Sequence, residues 1–282
     1  MRDVDGKVAA ITGAGSGIGR ALAVELARRG CHVAISDVDD DGLTETRRLI
    51  DATNTGVKVA TAHVDVADRD AVHAWAARVV EEFGQVNLIV NNAGVALAAT
   101  VDVMTHENFR WLIDINFWGV VHGTDAFLPH LKATGDGHVV NVSSVFGLLG
   151  IPSQSAYNAA KFAVRGYTEA LRTELDAERC GVSATTIHPG GIRTNIARNG
   201  RFEFADHEDA IDAETAAAEF EKMTTTRPEQ AAELILGAVA KNKRRALIGP
   251  DAHLFDAAAR ISPRAAQWAI GRWATRRAAI IV

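Results

Sequence analysis

Cysteine is nearly missing from this chain. Its 282 residues hold two, Cys31 and Cys180, far apart and in no CxxC or Cys/His spacing. That argues against a disulfide framework and a cysteine metal site, leaving two packed free thiols, and no metal is expected. Proline is scarce at six residues. No repeat or low-complexity linker breaks the chain, so no internal domain boundary is expected. Long apolar runs are absent as well: nothing approaches the roughly 18 residues that a membrane-spanning helix needs. The opening MRDVDGKVAA carries acids and no apolar run, so no secretory signal is read there and a cytoplasmic location is expected. A basic excess is also lacking. Thirty Lys and Arg against 35 Asp and Glu give a net charge of −5, which argues against nucleic acid as a main partner.

What is there is alternation. Short apolar runs rich in β-branched residues, at 7–12, 32–37, 57–65, 86–94, 137–144, 182–191 and 244–250, are separated by helical patterns, the longest spanning about Gln154 to Arg179. This order predicts a doubly wound α/β fold: a parallel sheet of about seven strands with helices on both faces, in one domain. In such sheets ligands bind beyond the carboxyl ends of the strands, and the chemically suggestive residues fall at those ends.

The first strand runs into TGAGSGIG, residues 12–19. A strict GxGxxG is not met, but Gly13, Gly17 and Gly19 have the spacing of a tight turn into a helix whose free N–H groups suit a pyrophosphate. The second strand ends at Asp37, about 20 residues further on, as expected of an acid that binds ribose hydroxyls. Asp39, Asp40 and Asp41 follow, with no adjacent arginine to meet a 2′-phosphate, so NAD is favoured over NADP. The three acids also suit a helix start. Further on, Tyr157 and Lys161 stand four positions apart in SAYNAAKFAV, which places phenol and ammonium on one helical face.

Together these segments resemble the short-chain dehydrogenase/reductase family. The matching residues are TGAGSGIG, Asp37, Asp65-Val66, NNAG at 91–94, Asn116, Ser144, YNAAK at 157–161 and PGGIRT at 189–194, in the family's order over about residues 5–250. The resemblance implies a Rossmann fold and hydride transfer between a nicotinamide cofactor and an alcohol or ketone. It assigns catalysis to Asn116, Ser144, Tyr157 and Lys161. Tyr157 would be the general acid/base, made a better base by the Lys161 ammonium, because a free phenol titrates near pH 10. Ser144 would hydrogen-bond the substrate oxygen and Asn116 would support a proton relay through water. Cofactor contacts are implied for Gly13, Ser16, Gly17, Ile18, Gly19, Asp37, Asp65, Val66, Asn92, Ala93, Gly94, Tyr157, Lys161, Pro189, Gly190, Ile192 and Thr194. His188, where the family often carries asparagine, is read as structural.

By the same resemblance, residues 1–250 form the catalytic domain and about 195–226 a lid over the substrate. Phe146, Leu148, Leu149, Phe202 and Phe204 would line an apolar pocket or simply pack the lid. Arg198 and Arg201 are read as solvated lid charges before carrier-phosphate contacts. The helices near 105–133 and 154–179 imply a homodimer or homotetramer. Residues 251–282, with five arginines, two aspartates, Trp268 and Trp273, form a helical extension. It is expected to pack on the body or a neighbouring subunit; contact with an anionic membrane surface is the less favoured reading. Two rival functions stand beside the oxidoreductase: a non-catalytic NAD-binding sensor or scaffold, and an epimerase-type enzyme. The roughly 90 residues after Thr194 leave little room for the larger substrate domain of the latter.

Overall fold

The computed structural model describes residues 1, 3–203, 214, 215, 218 and 224–276. Chain order runs β1 (Val8–Thr12), α1 (Gly17–Arg28), β2 (His32–Asp37), α2 (Asp40–Asp51), β3 (Val59–His63), α3 (Arg69–Phe83), β4 (Leu88–Asn91), β5 (Leu97–Ala99) and α4 (His106–Ile113). A π-helical turn (Asp114–Trp118) leads into α5 (Gly119–Thr134), followed by β6 (Gly137–Val142), a 3-10 turn (Val145–Gly147), α6 (Ser155–Glu178), β7 (Val182–Pro189) and β8 (Arg201–Glu203). The chain continues through α7 (Pro228–Ala240), β9 (Arg245–Ile248), α8 (Pro250–Ile261) and α9 (Pro263–Arg276).

Seven strands form one sheet in the order β3-β2-β1-β4-β6-β7-β9, and every pairing in it is parallel. The expected doubly wound sheet is therefore present. The order reverses beside β1, between β1 and β4, which opens a crevice at the carboxyl edge of these strands. The central strands are apolar on both faces, as β1 shows with all five residues buried, because helices cover the sheet above and below. One face packs Leu22, Leu26, Ile235 and Leu236 of α1 and α7. The other packs Trp75, Phe127, Leu131 and Leu171 of α3, α5 and α6, with the Trp75 and Phe127 rings edge-on at 5.0 Å.

Several elements depart from the sequence reading. β5 and β8 form a separate two-stranded parallel pair, Leu97–Ala99 against Arg201–Glu203, that the alternation did not suggest. Three-residue strands show no period. Helix α7 was also not expected; it starts with Pro228 in its first turn, and Gln230 Oε1 accepts from the Arg227 backbone N–H at 3.2 Å. The last strand is shorter than 244–250, since Pro250 already opens α8. Most of the expected lid, including Phe204, lies outside the described residues, as do residues 277–282.

Of the four histidines on strands of this sheet, His138 and His188 are fully buried. His138 on β6 is fully buried, with Nε2 at 2.8 Å from Thr185 Oγ1. Burial first, then nearby positive charge, pushes its pKa down to about 3. In the unfolded chain the same group titrates near 6.5. The native state therefore holds His138 neutral where the unfolded state takes a proton, and its contribution is complete above pH 6.5 and is lost as pH falls toward 3. Between those limits wild-type stability is expected to fall by about 1.4 kcal/mol per pH unit more steeply than that of a His138→Gln variant. Denaturant unfolding at pH 7, 6 and 5 measures this, and parallel pH profiles would refute it.

Candidate active site

The glycine turn is built as the spacing required. Gly13 has φ +66°, and a Cβ there would lie 2.7 Å from the Ala93 Cα. Gly19 is packed as tightly, with a Cβ position 2.2 Å from the Gly13 carbonyl oxygen. The turn is held by Asn92, whose Nδ2 donates to the carbonyls of Thr12 and Gly13, both at 3.0 Å. Thr12 Oγ1 in return accepts the backbone N–H groups of Asn92 and Ala93 at 3.0 and 3.1 Å. Ser16, the N-cap of α1, makes no side-chain cap bond, and no acid sits in the first turn. Such a helix start keeps its N–H groups and partial positive charge available to an anion. A Cβ at Gly17 would lie 3.0 Å from Thr194 Cγ2, so the loop after β7 closes against this turn.

Asp37 ends β2. Its Oδ2 accepts from the Gly15 N–H at 2.7 Å, and its Oδ1 from the N–H groups of Val38 and Asp39 at 2.8 and 3.1 Å. Asp39 caps α2 by accepting from the Gly42 N–H at 2.9 Å, and Asp40 faces His63 at 3.2 Å; these acids are a helix start, as the second reading had it. Sequence reading missed Arg20. Its guanidinium reaches into this corner from α1, donating to the Gly15 carbonyl, to Thr46 Oγ1 at 3.0 Å and to the Gly42 carbonyl at 3.3 Å. Asp65 stands exposed just after β3, while Val66 is buried against Gly119 and its carbonyl accepts from His122 Nδ1 at 3.0 Å.

The second group gathers at the carboxyl end of β6. Ser144 follows that strand, and the Tyr157 phenol hydrogen-bonds the Ser144 side chain. Lys161 is 3% exposed; its Nζ donates to the Val142 carbonyl at 3.1 Å and stands 5.5 Å from the centre of the Tyr157 ring. A Cβ on Gly94 would lie 3.1 Å from Asn116 Oδ1 and 3.6 Å from Lys161 Nζ, which brings NNAG, Asn116 and Lys161 to one point. Asn116 lies in the π-helical turn and is fully buried. Its side chain exchanges two hydrogen bonds with the Val95 backbone, each 2.8 Å. His188, also buried, has Nδ1 at 2.9 Å from the Ser144 carbonyl, and burial pushes its pKa down to about 4, so it is neutral there. The two groups of residues lie on β2 and β6, three strand spacings apart, or about 14 Å.

These surroundings act on the pair chiefly through burial. Burial pushes Tyr157 up to about 12, opposed by the Ser144 hydrogen bond, and burial pushes Lys161 down to about 8. Each group is thereby driven toward its uncharged form.

The loop between Ser144 and α6 is held by a further residue, on α6 itself, that the motif did not single out. Asn158 donates through Nδ2 to the carbonyls of Phe146 and Leu149 at 2.6 and 2.9 Å, and its Oδ1 accepts from the Ile151 N–H at 3.0 Å. With that loop fixed, the Phe146 ring meets Tyr157 edge-on at 5.9 Å. Leu148 and Leu149 are buried at 6% and 4% exposure, so they pack the body and do not line an open pocket. Arg201 is engaged, 3.9 Å over the Trp111 ring and 2.5 Å from Asn108 Oδ1.

Comparison with known proteins agrees with this geometry. The family described as short chain dehydrogenase matches residues 7–203. SadH of Mycobacterium tuberculosis, named an oxidoreductase, is 50% identical over 262 residues, covering 93% of this chain and 92% of its own. A short chain dehydrogenase/reductase from Burkholderia phymatum, solved in complex with NAD, superposes with a TM-score of 0.83 at 31% identity, covering 91% of this chain and 94% of that one. An alcohol dehydrogenase from Thermococcus sibiricus, complexed with 5-hydroxy-NADP, gives a TM-score of 0.70 at 28% identity, covering 86% and 95%.

The Asn158 clamp can be tested without a ligand. Asn158→Ala would strip three backbone groups of their partner in a largely buried loop, at a cost of roughly 2–4 kcal/mol in unfolding free energy. Hydrogen exchange at the Ile151 amide should accelerate in step. An unchanged Ile151 amide would show that the clamp does not hold the loop.

Proposed function

The chain belongs to the short-chain dehydrogenase/reductase family, and from that membership we propose that it transfers a hydride between NAD and a secondary alcohol or ketone of apolar character. The observation that carries the proposal is the convergence of Ser144, Tyr157, Lys161 and Asn116 beside a glycine turn shaped for a dinucleotide.

The residues present fit a nicotinamide dinucleotide. At Gly13 and Gly94 added side chains would press on Ala93 and Asn116, so bare backbone faces the crevice at both places. The α1 start suits the pyrophosphate, with Ser16, Gly17, Ile18 and Gly19 around it and Thr194 opposite. Asp37 is set for the adenosine ribose, and Asp65 and Val66 for the adenine. Asn92 and Ala93 hold the turn to β4. Pro189, Gly190 and Ile192 form the loop that would meet the carboxamide. NAD is favoured over NADP because Asp37 fixes a carboxylate where a 2′-phosphate would lie, and the Arg20 guanidinium beside it is committed to two carbonyls and a threonine.

When bound, the cofactor accepts or supplies the hydride. Tyr157 exchanges the proton of the substrate oxygen through its phenol, with Ser144 hydrogen-bonding that oxygen as charge develops on it. Lys161, one helical turn on, holds its ammonium at the centre of the group. Asn116 keeps the π-turn and the Val95 backbone together, which places the water-relay position next to Lys161. Phe146, fixed by Asn158, supplies an apolar wall to Tyr157, consistent with a hydrophobic substrate. Exposed Phe109, Trp118 and Phe162 on the α4–α6 side support a homodimer or homotetramer. Residues 1–250 act as the catalytic unit and the helices after them as an extension of it. No helix among the described residues is long and apolar enough to cross a membrane.

Tyr157→Phe is expected to lower turnover by about 10²–10⁴ while leaving NADH affinity within about twofold, because the lost hydroxyl serves proton transfer and not cofactor packing. Nicotinamide absorbance across a panel of secondary alcohols and ketones, with NAD and NADP in parallel, reads the first quantity and fluorescence titration the second. Near-normal turnover in the variant would reject Tyr157 as the acid/base. Product formed with no net cofactor change would instead indicate an epimerase, and cofactor binding without any turnover a sensor.

A further inference from the structure

The family match ends at residue 203, yet a residue well beyond it reaches into the site. Asp251 stands in the first turn of α8, directly after Gly249 and Pro250. Its Oδ2 accepts from the Gly191 N–H at 2.6 Å. Its other oxygen, Oδ1, is buried and makes no hydrogen bond among the described residues. The carboxylate lies flat on the backbone of the 189–194 loop. A Cβ built on Gly190 would come within 2.1 Å of Oδ2 and 2.2 Å of Oδ1, so no side chain fits at 190 while Asp251 is in place.

The helix that carries Asp251 is itself tied down. Asp256, one turn and a half along α8, takes both Arg245 nitrogens at 2.8 Å and Arg260 Nε at 3.0 Å. Arg245 belongs to β9, the strand whose Ile248 carbonyl accepts from the Gly190 N–H at 2.9 Å. On its other side the loop is held by Thr224–Thr226: Arg193 N–H donates to the Thr226 carbonyl at 2.9 Å, and Thr225 N–H to the Gly191 carbonyl at 3.0 Å. The loop is thus gripped from three directions, and among the described residues Asp251 grips it with a charged side chain.

We infer that Asp251 is a positioning residue for the nicotinamide half of the cofactor site, acting through Gly191 and Gly190, and that supplying it is a function of the segment after residue 250. A hydrogen bond to a charged acceptor at 2.6 Å is of the strong kind. It fixes the peptide that precedes Ile192, whose backbone is aimed at the carboxamide in the reading above, on which this inference rests. The glycine at 190 then has a reason besides backbone freedom: it leaves room for the carboxylate.

The test separates the two halves of the cofactor. NADH carries the nicotinamide, whereas ADP-ribose ends at the second ribose and lacks the ring and carboxamide that the 189–194 loop would meet. In Asp251→Ala the dissociation constant for NADH is expected to rise about tenfold or more, with that for ADP-ribose within about twofold of wild type. Asp251→Asn keeps an oxygen that can accept from Gly191 and should restore most of the NADH affinity. Gly190→Ala approaches the same contact from the loop side. It should show the same selective loss and, combined with Asp251→Ala, add little to it; it also stands in if Asp251→Ala does not fold. An unchanged NADH affinity, or equal losses for NADH and ADP-ribose, would overturn the inference while leaving the dehydrogenase reading intact. Failure of the wild-type chain to bind NADH would instead overturn that reading, and this inference with it.

Discussion

A buried ammonium sets the terms for this site. Lys161 sits almost wholly out of water, and its Nζ bonds to the carbonyl of Val142, the last residue of β6. The next residue along the chain answers the contact: Ser143 Oγ donates to the Lys161 carbonyl at 2.7 Å. These two bonds lock the carboxyl end of β6 to the first turns of α6 in a single register. Ser144 then follows by one residue, and Tyr157 precedes Lys161 by one helical turn, so their hydrogen bond is a consequence of that register. A shift of one residue in either element would part the phenol from the hydroxyl. Such an arrangement is costly to solvation, since a buried ion needs more acceptors than one. The depressed pKa of Lys161 is the visible sign of that cost.

The same logic, a polar side chain spent on backbone or on another amide, ties the two halves of the crevice together. Asn92 grips the glycine turn, and its neighbour Asn91 donates to Thr124 Oγ1 on α5 and to Asn141 Oδ1 on β6. Asn141 passes the contact on to Thr168 of α6 at 3.0 Å. A ladder of amides and hydroxyls therefore runs from β4 through β6 to both helices that cover them. Asn91, Thr124, Asn141 and Thr168 are all buried, where breaking such hydrogen bonds is expensive. The turn that fits a pyrophosphate and the helix that carries Tyr157 are kept at a constant separation by this ladder.

How far this was legible in the sequence depends on range. The seven strands announced themselves because each buried strand is a local run of β-branched residues, and the glycine turn because Gly13 and Gly17 need positive φ within a few residues of one another. Tyr157 and Lys161 share a face by helical spacing alone. The β5–β8 pair was not legible, since three-residue strands separated by more than a hundred residues carry no period of their own. Asn158 and Arg20 were missed for a related reason. Their roles lie in which backbone groups they reach, and nothing in the local pattern of either residue tells that from a solvated position. Asp251 is further still from any motif, and only the absence of a side chain at Gly190 hinted that something must lie against it.

The protonation state of the Tyr157–Lys161 pair could not be read from spacing either, and it changes how the site is understood. An ammonium one turn from a phenol should favour phenolate if the two were in water or in a polar surround. Here desolvation outweighs the attraction and moves the groups apart, the phenol up to about 12 and the lysine down to about 8. Burial therefore holds the phenol protonated, with Ser144 the resolved force toward phenolate, while a lysine near 8 still carries its proton at neutral pH. A phenol kept protonated by its apolar surround and an ammonium held by one carbonyl are the two states from which any proton transfer at this site would start.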